Sequence, residues 1–118
     1  MAKILVVDDS KLIQMQLQGM LEKLEHEVIA LADDGLIAYE KYQEHTPDIV
    51  TMDINMPNLD GLGAVKKIIA DFPDAQIIMI SSIDDRNLTY DCIGEGAMDF
   101  LNKPIQIEEL EEKVNALL

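Results

Sequence analysis

The sequence predicts an α/β fold, a parallel sheet covered by helices on both faces, and three observations carry that reading. Apolar runs alternate with segments of helical period along the chain, and repeated βα units build a parallel sheet between two helical layers. The runs are short and continuous, as in Ile49-Val50-Thr51-Met52, which suits strands buried on both faces. Polar groups then stand at the ends of those runs: Asp8 and Asp9, Asp53, Ser81 and Lys103. Open α/β sheets carry their sites at the carboxyl ends of the strands.

Strands are expected over 3–7, 27–31, 48–53, 76–81 and 98–101, and helices over 10–24, 34–44, 61–71, 84–94 and 106–118. Ser10 can cap the first helix, where Leu12, Ile13, Leu17, Met20, Leu21 and Leu24 recur at helical spacing. Asp33-Asp34-Gly35 opens the second helix, with Leu36, Ile37 and Tyr39 facing inward, and Pro47 separates it from the third strand. The loop Met56-Pro57-Asn58-Leu59-Asp60-Gly61 follows Asp53, marked by its Pro, Asn and Gly. Gly61 starts the third helix and Phe72-Pro73 ends it. Asp84 and Asp85 fall in the first turn of the fourth, where the macrodipole favours acids, and Gly94 and Gly96 close it. The fifth carries Ile107, Leu110, Val114 and Leu117 on one face. Its run Glu108, Glu109, Glu111 and Glu112 reads as a solvated surface.

The 118 residues, 48% of them hydrophobic, suffice for a single domain over 1–118 with one core. The net charge of −14 argues against direct nucleic-acid binding, which needs Lys and Arg to neutralise phosphates, and against an anionic membrane surface. Cys92 is the only cysteine, so no internal disulfide forms. It shares a helical face with Leu88 and reads as a core residue. His26 and His45 lack partners at metal-ligand spacing and read as surface or turn residues. The seven methionines read mostly as gap fillers. Met1-Ala2-Lys3 leads straight into a strand-like run with no signal peptide or long apolar span, which predicts a cytoplasmic protein.

If the first and third strands are neighbours, Asp8, Asp9 and Asp53 meet at one sheet edge. Crowded carboxylates raise one another's pKa, and a hard cation such as magnesium relieves the conflict. Lys103 adds a cation able to pair with a carboxylate or phosphoryl oxygen, and Ser81 adds a hydroxyl donor. An acceptor, a metal, a cation and a hydroxyl are the parts of phosphoryl transfer, whose catalysis is mostly positioning and charge neutralisation. Asp53 is the candidate nucleophile, forming an acyl phosphate.

With these residues in view, the chain resembles the receiver domain of two-component response regulators, of the stand-alone chemotaxis type. The likeness is carried by Val6-Val7-Asp8-Asp9-Ser10, Met52-Asp53-Ile54-Asn55-Met56-Pro57 with Asp60-Gly61, Ser81-Ser82, Gly96-Ala97 and Lys103-Pro104. It implies a flavodoxin-like doubly wound (βα)5 sandwich with strand order 2-1-3-4-5. It implies Asp53 as phosphoacceptor and magnesium as cofactor, with manganese a possible substitute. Asp9, Asp53 and the backbone carbonyl of Asn55 would bind the metal, with Asp8 acting largely through metal-bound water. Lys103 would pair with Asp53 at rest and with the phosphoryl group afterwards. A cis Lys103-Pro104 peptide is implied too. Ser81 and Phe100 would form the switch, and the fourth helix, fifth strand and fifth helix the output face. The implied donor is a histidine kinase, the output a protein partner, and the working form a monomer that catalyses only its own phosphorylation and dephosphorylation. The chain departs from the pattern at Phe100, where Tyr is usual, at Ser81 in place of Thr, at Ser82 in place of a small residue such as Ala, and at Ile105 in place of Phe.

Two other classes share parts of this pattern. An aspartate-nucleophile phosphohydrolase usually carries a second acid two residues after the nucleophile, where this chain has Asn55. A flavodoxin-like binding module wants Gly, Ser or Thr in its first loop, where Asp8 and Asp9 would repel a phosphate.

Overall fold

The computed structural model describes all 118 residues. In chain order the elements are β1 (Lys3–Val7), α1 (Lys11–Lys23), β2 (Glu27–Ala32), α2 (Gly35–His45), β3 (Ile49–Asp53), α3 (Gly61–Asp71), β4 (Ile77–Ser81), a 3-10 turn (Ile83–Asp85), α4 (Arg86–Gly94), β5 (Asp99–Asn102) and α5 (Ile107–Ala116). Every expected strand and helix is present, with ends displaced by at most two residues. The five strands form one parallel sheet in the order β2-β1-β3-β4-β5, as the family resemblance implied.

Side chains on successive strand residues point to opposite faces, and the core divides accordingly. Leu5, Val7, Val50, Met52, Ile77 and Met79 pack with Ala38, Tyr42, Ala64, Val65, Ile68 and Cys92 of α2, α3 and α4. Ile4, Val6, Ile49, Ile78, Ile80 and Leu101 pack with Leu17 and Leu21 of α1 and with Leu110 and Val114 of α5. Each such large side chain, moved out of water, contributes roughly 2 kcal/mol. The central strands β1, β3 and β4 are therefore the rigid part of the molecule, and the site stands on their ends.

Three helices start on side-chain caps. Ser10, Asp34 and Asp60 accept the backbone N–H of Ile13, Ile37 and Gly63 respectively. Gly61 has a tighter reason than helix initiation. A Cβ there would collide with the backbone carbonyl of Asp53 and crowd Ile54, and the Gly61 N–H donates to the Ile54 carbonyl at 2.7 Å. The β3–α3 loop thus folds flat against the strand end that carries Asp53.

Four expectations need correction. Leu12 is 64% exposed; the buried stripe of α1 is Gln14, Leu17 and Leu21, and Leu12 lies about 200° around the helix from Gln14. Leu36 is 45% exposed, because the buried face of α2 runs through Gly35, Ala38 and Tyr42; Ile37 and Tyr39 are half-buried. Asp84 and Asp85 precede α4 in the 3-10 turn rather than forming its first turn. His26 closes the α1–β2 turn, so the turn reading holds, but it is buried rather than on the surface. Its Nδ1 accepts the Ala2 N–H at 2.9 Å, so the ring joins the start of β1 to the α1–β2 turn.

Candidate functional site

Strand order brings the site together. β1 and β3 are neighbours with Val7 opposite Met52, so Asp8 and Asp9 follow one strand end beside Asp53 at the other. Carboxylate oxygens of Asp8, Asp9 and Asp53 all lie within 4.8 Å of one another. β4 lies on the far side of β3 and β5 beyond it. The Lys103 N–H donates to the Ser81 carbonyl at 2.8 Å, which ties those two strand ends together. The Lys103-Pro104 peptide is cis, as the resemblance implied. Lys103 Nζ reaches across to donate to Asp53 Oδ1 at 3.1 Å and stands 3.7 Å from Asp8 Oδ2.

Burial sets the electrostatics. Asp8 and Asp53 are buried while Asp9 is exposed. Desolvation, reinforced by the charge of Asp8, pushes the Asp53 carboxyl up to about 6, although Lys103 and the Ile54 N–H pull the other way. Burial likewise holds Asp8 above the ordinary carboxylate range against the opposing pull of the Ser10 N–H and Lys103. Burial alone would lower the Lys103 ammonium, but its hydrogen bond to Asp53 and the nearby carboxylates outweigh that, and its pKa is raised. The ammonium is thus favoured in its charged form, while the buried carboxylates remain under charge stress even when paired with it.

The donor set fits a hard divalent cation. All its side-chain donors are oxygens, Asp8 Oδ2 is buried with no hydrogen-bond partner, and three carboxylates against one ammonium leave two negative charges when all are ionised. Such oxygen-only, carboxylate-rich pockets suit magnesium. Asn55 sits in the exposed loop just after Asp53. Ser81 is fully buried and its Oγ has no partner, an unusual state for a buried hydroxyl. Phe100 is half-buried against the core cluster shared by α2, α3 and α4, and the Arg86 guanidinium lies over its ring at 5.5 Å from the centroid. Asp99 pairs with Lys113 at 3.0 Å, joining β5 to α5.

Two groups escaped sequence reasoning. Gln14, on the buried stripe of α1, donates from Nε2 to the Asp8 carbonyl at 2.6 Å and to Asp33 Oδ1 at 2.9 Å, bracing the loop that carries Asp8 and Asp9. The polar residue at a core position of the first helix was the available signal. Asp85 turns its carboxylate away from α4 and toward Asn55. No sequence signal exists for that, because thirty residues separate the partners.

This fold and this acidic pocket define a response regulator receiver, and the chain belongs to that family: the sequence pattern of the response regulator receiver domain matches residues 4–115. It is a phosphorylation-activated switch of two-component signalling rather than a classic enzyme. Among its relatives, the chemotaxis protein CheY of Bacillus subtilis is 43% identical over 116 residues, 98% of this chain and 97% of that one. CheY of Thermotoga maritima is 40% identical over 113 residues, covering 96% of this chain and 94% of that one. Among solved structures, the CheX-CheY-BeF3-magnesium complex from Borrelia burgdorferi contains a chain that superposes with a TM-score of 0.92 at 34% identity, covering 98% of this chain and 87% of that one. No helix of this chain is long and apolar enough to cross a membrane.

Proposed function

We propose that Asp53 is the phosphoacceptor of this receiver, taking a phosphoryl group from a histidine kinase. The convergence on one buried carboxylate of Lys103 and two further acids carries this reading. An oxygen of Asp53 attacks phosphorus, the bond from phosphorus to the donor nitrogen breaks, and an acyl phosphate forms on Asp53. Lys103 holds the carboxylate beforehand and shifts to a phosphoryl oxygen afterwards. Ser81 offers its unpartnered hydroxyl to another phosphoryl oxygen. Asp9, Asp53 and the Asn55 backbone carbonyl would hold magnesium, with Asp8 contributing through bound water, and manganese could stand in; the cation held there would supply neutralisation of the charge on the transferring group. The same groups make the chain catalyse its own dephosphorylation.

Ser81 and Phe100 are the switch, and the face built from α4, β5 and α5 is the output. The likeness to proteins named for chemotaxis over nearly their whole length supports a place in that pathway, with a downstream protein as partner. One solved relative is held in complex with CheX, and a partner of that kind suits this chain. The chain works as a cytoplasmic monomer and a single receiver domain. It has no direct contact with nucleic acid or membrane, in keeping with a net charge of −14.

The test is incubation with acetyl phosphate and magnesium, read by mass spectrometry. A mass gain of one phosphoryl group, mapped to Asp53 and lost in Asp53→Asn, is expected. Incorporation that survives in Asp53→Asn refutes the assignment.

A further inference from the structure

Asp85 occupies the position one residue before α4 where α1, α2 and α3 carry Ser10, Asp34 and Asp60 as caps, yet it makes no side-chain cap bond. Its carboxylate is engaged elsewhere. Both oxygens accept from the Asn55 amide, at 2.9 and 3.0 Å from Nδ2, and Oδ2 also accepts the Ser82 hydroxyl at 2.9 Å. The Asp85 backbone carbonyl accepts Thr89 Oγ1 at 3.0 Å, which fixes the residue to the first turn of α4. Asp85 ends the 3-10 turn that runs into α4, with φ −99° and ψ 16° rather than the extended backbone of the other caps, so its carboxylate is left for a bond between two loops.

We propose that Asp85 is a positioning residue for the metal pocket: by gripping the Asn55 side chain it holds the β3–α3 loop so that the Asn55 backbone carbonyl is presented to the cation. The inference rests on the assignment of that carbonyl as a metal donor. Asn55 is exposed, and little besides this bond restrains its side chain. Holding a donor in place before the ligand arrives removes part of the ordering cost of binding. By linkage the effect runs both ways, so an occupied pocket also favours the bond and, through Asp85, the present geometry at the start of α4.

The test is a double-mutant cycle on magnesium affinity, measured by calorimetry on the intact protein, with Asn55→Ala, Asp85→Ala, their combination, and Asp85→Asn. Asn55→Ala keeps the backbone carbonyl and the Asp85 charge while deleting the bond. Each alanine variant should bind magnesium about fivefold more weakly, the value of one modest hydrogen bond. The double variant should be no weaker than the poorer single one, since both changes remove the same interaction. Asp85→Asn keeps an acceptor oxygen and should recover part of the loss without restoring the charge. Melting temperatures in chelator should stay close to wild type in Asn55→Ala. Losses that add in the double variant, or an Asp85→Asn protein as weak as Asp85→Ala, would show that Asp85 acts by charge through space and overturn the proposal. Wild-type affinity in both single variants overturns it as well. Asp9→Ala serves as the control: if that protein still binds magnesium normally, the pocket itself is misassigned and this inference falls with it.

Discussion

Replacing Asp53 by Asn should stabilise the protein at neutral pH in metal-free buffer, and the gain should fade in acid. The buried carboxyl is pushed up to about 6 in the folded chain, whereas an unfolded Asp titrates near 3.9. The folded state therefore holds its proton more tightly than the unfolded state. Stability associated with that proton is complete below about pH 4 and is lost as pH rises through about 6. The separation of about two pH units corresponds to roughly 3 kcal/mol of destabilisation carried by the ionised Asp53 at neutral pH. Asn cannot ionise and escapes it, and its amide oxygen can still accept from the Ile54 N–H and from Lys103, which now donate to Asp53 Oδ1. Weakening of the charged Lys103 contact offsets part of the gain, so the expected net is about 1–3 kcal/mol, or a rise of several degrees in Tm. Urea unfolding in chelator at about pH 7 and at about pH 4 measures both limits. An Asn variant no more stable than wild type at neutral pH, or one whose advantage is the same in acid, would refute the account of a charge-stressed pocket.

Three further outcomes follow from the same structure. Magnesium should raise the Tm of the wild type, since a ligand bound only by the folded state stabilises it, and Asp9→Ala should remove most of that rise in a thermal-shift titration; an equal rise in both would place the ions elsewhere on the acidic surface. Thr51→Val should stabilise by about 1 kcal/mol in urea unfolding, because Thr51 Oγ1 is buried without a partner and deleting an unsatisfied hydroxyl of similar shape removes its desolvation cost; a loss of stability would mean the hydroxyl has an acceptor in solution. Phe100 should populate an inward position in the unphosphorylated protein more often than a Tyr would, since a phenyl ring leaves no hydroxyl unsatisfied; relaxation dispersion on the ring in wild type and Phe100→Tyr compares the two, and a wild-type ring held outward without exchange counts against it.

How much of this was legible beforehand depends on the range of the forces involved. The five strands, the helices and the caps at Ser10 and Asp34 follow from periodicity and from side chains that bond within three residues along the chain, so the sequence by itself determined them. It also determined the chemical inventory of the site, because polar residues that terminate buried apolar runs have few other uses. Strand order was legible only through the family likeness, since the pattern of alternating elements does not say which strands are neighbours. The tertiary structure decided that β1 sits beside β3, which converts separate acids into a pocket with a carboxyl pushed to about 6. It decided that Leu12 and Leu36 face solvent while Gln14 is buried, because helix orientation is settled by what each stripe meets. It decided too that His26 is held against Ala2 and that Asp85 serves Asn55 rather than α4. Those bonds join residues 24 and 30 positions apart, and a hydrogen bond acts over about 3 Å. Only the folded chain brings such partners within reach.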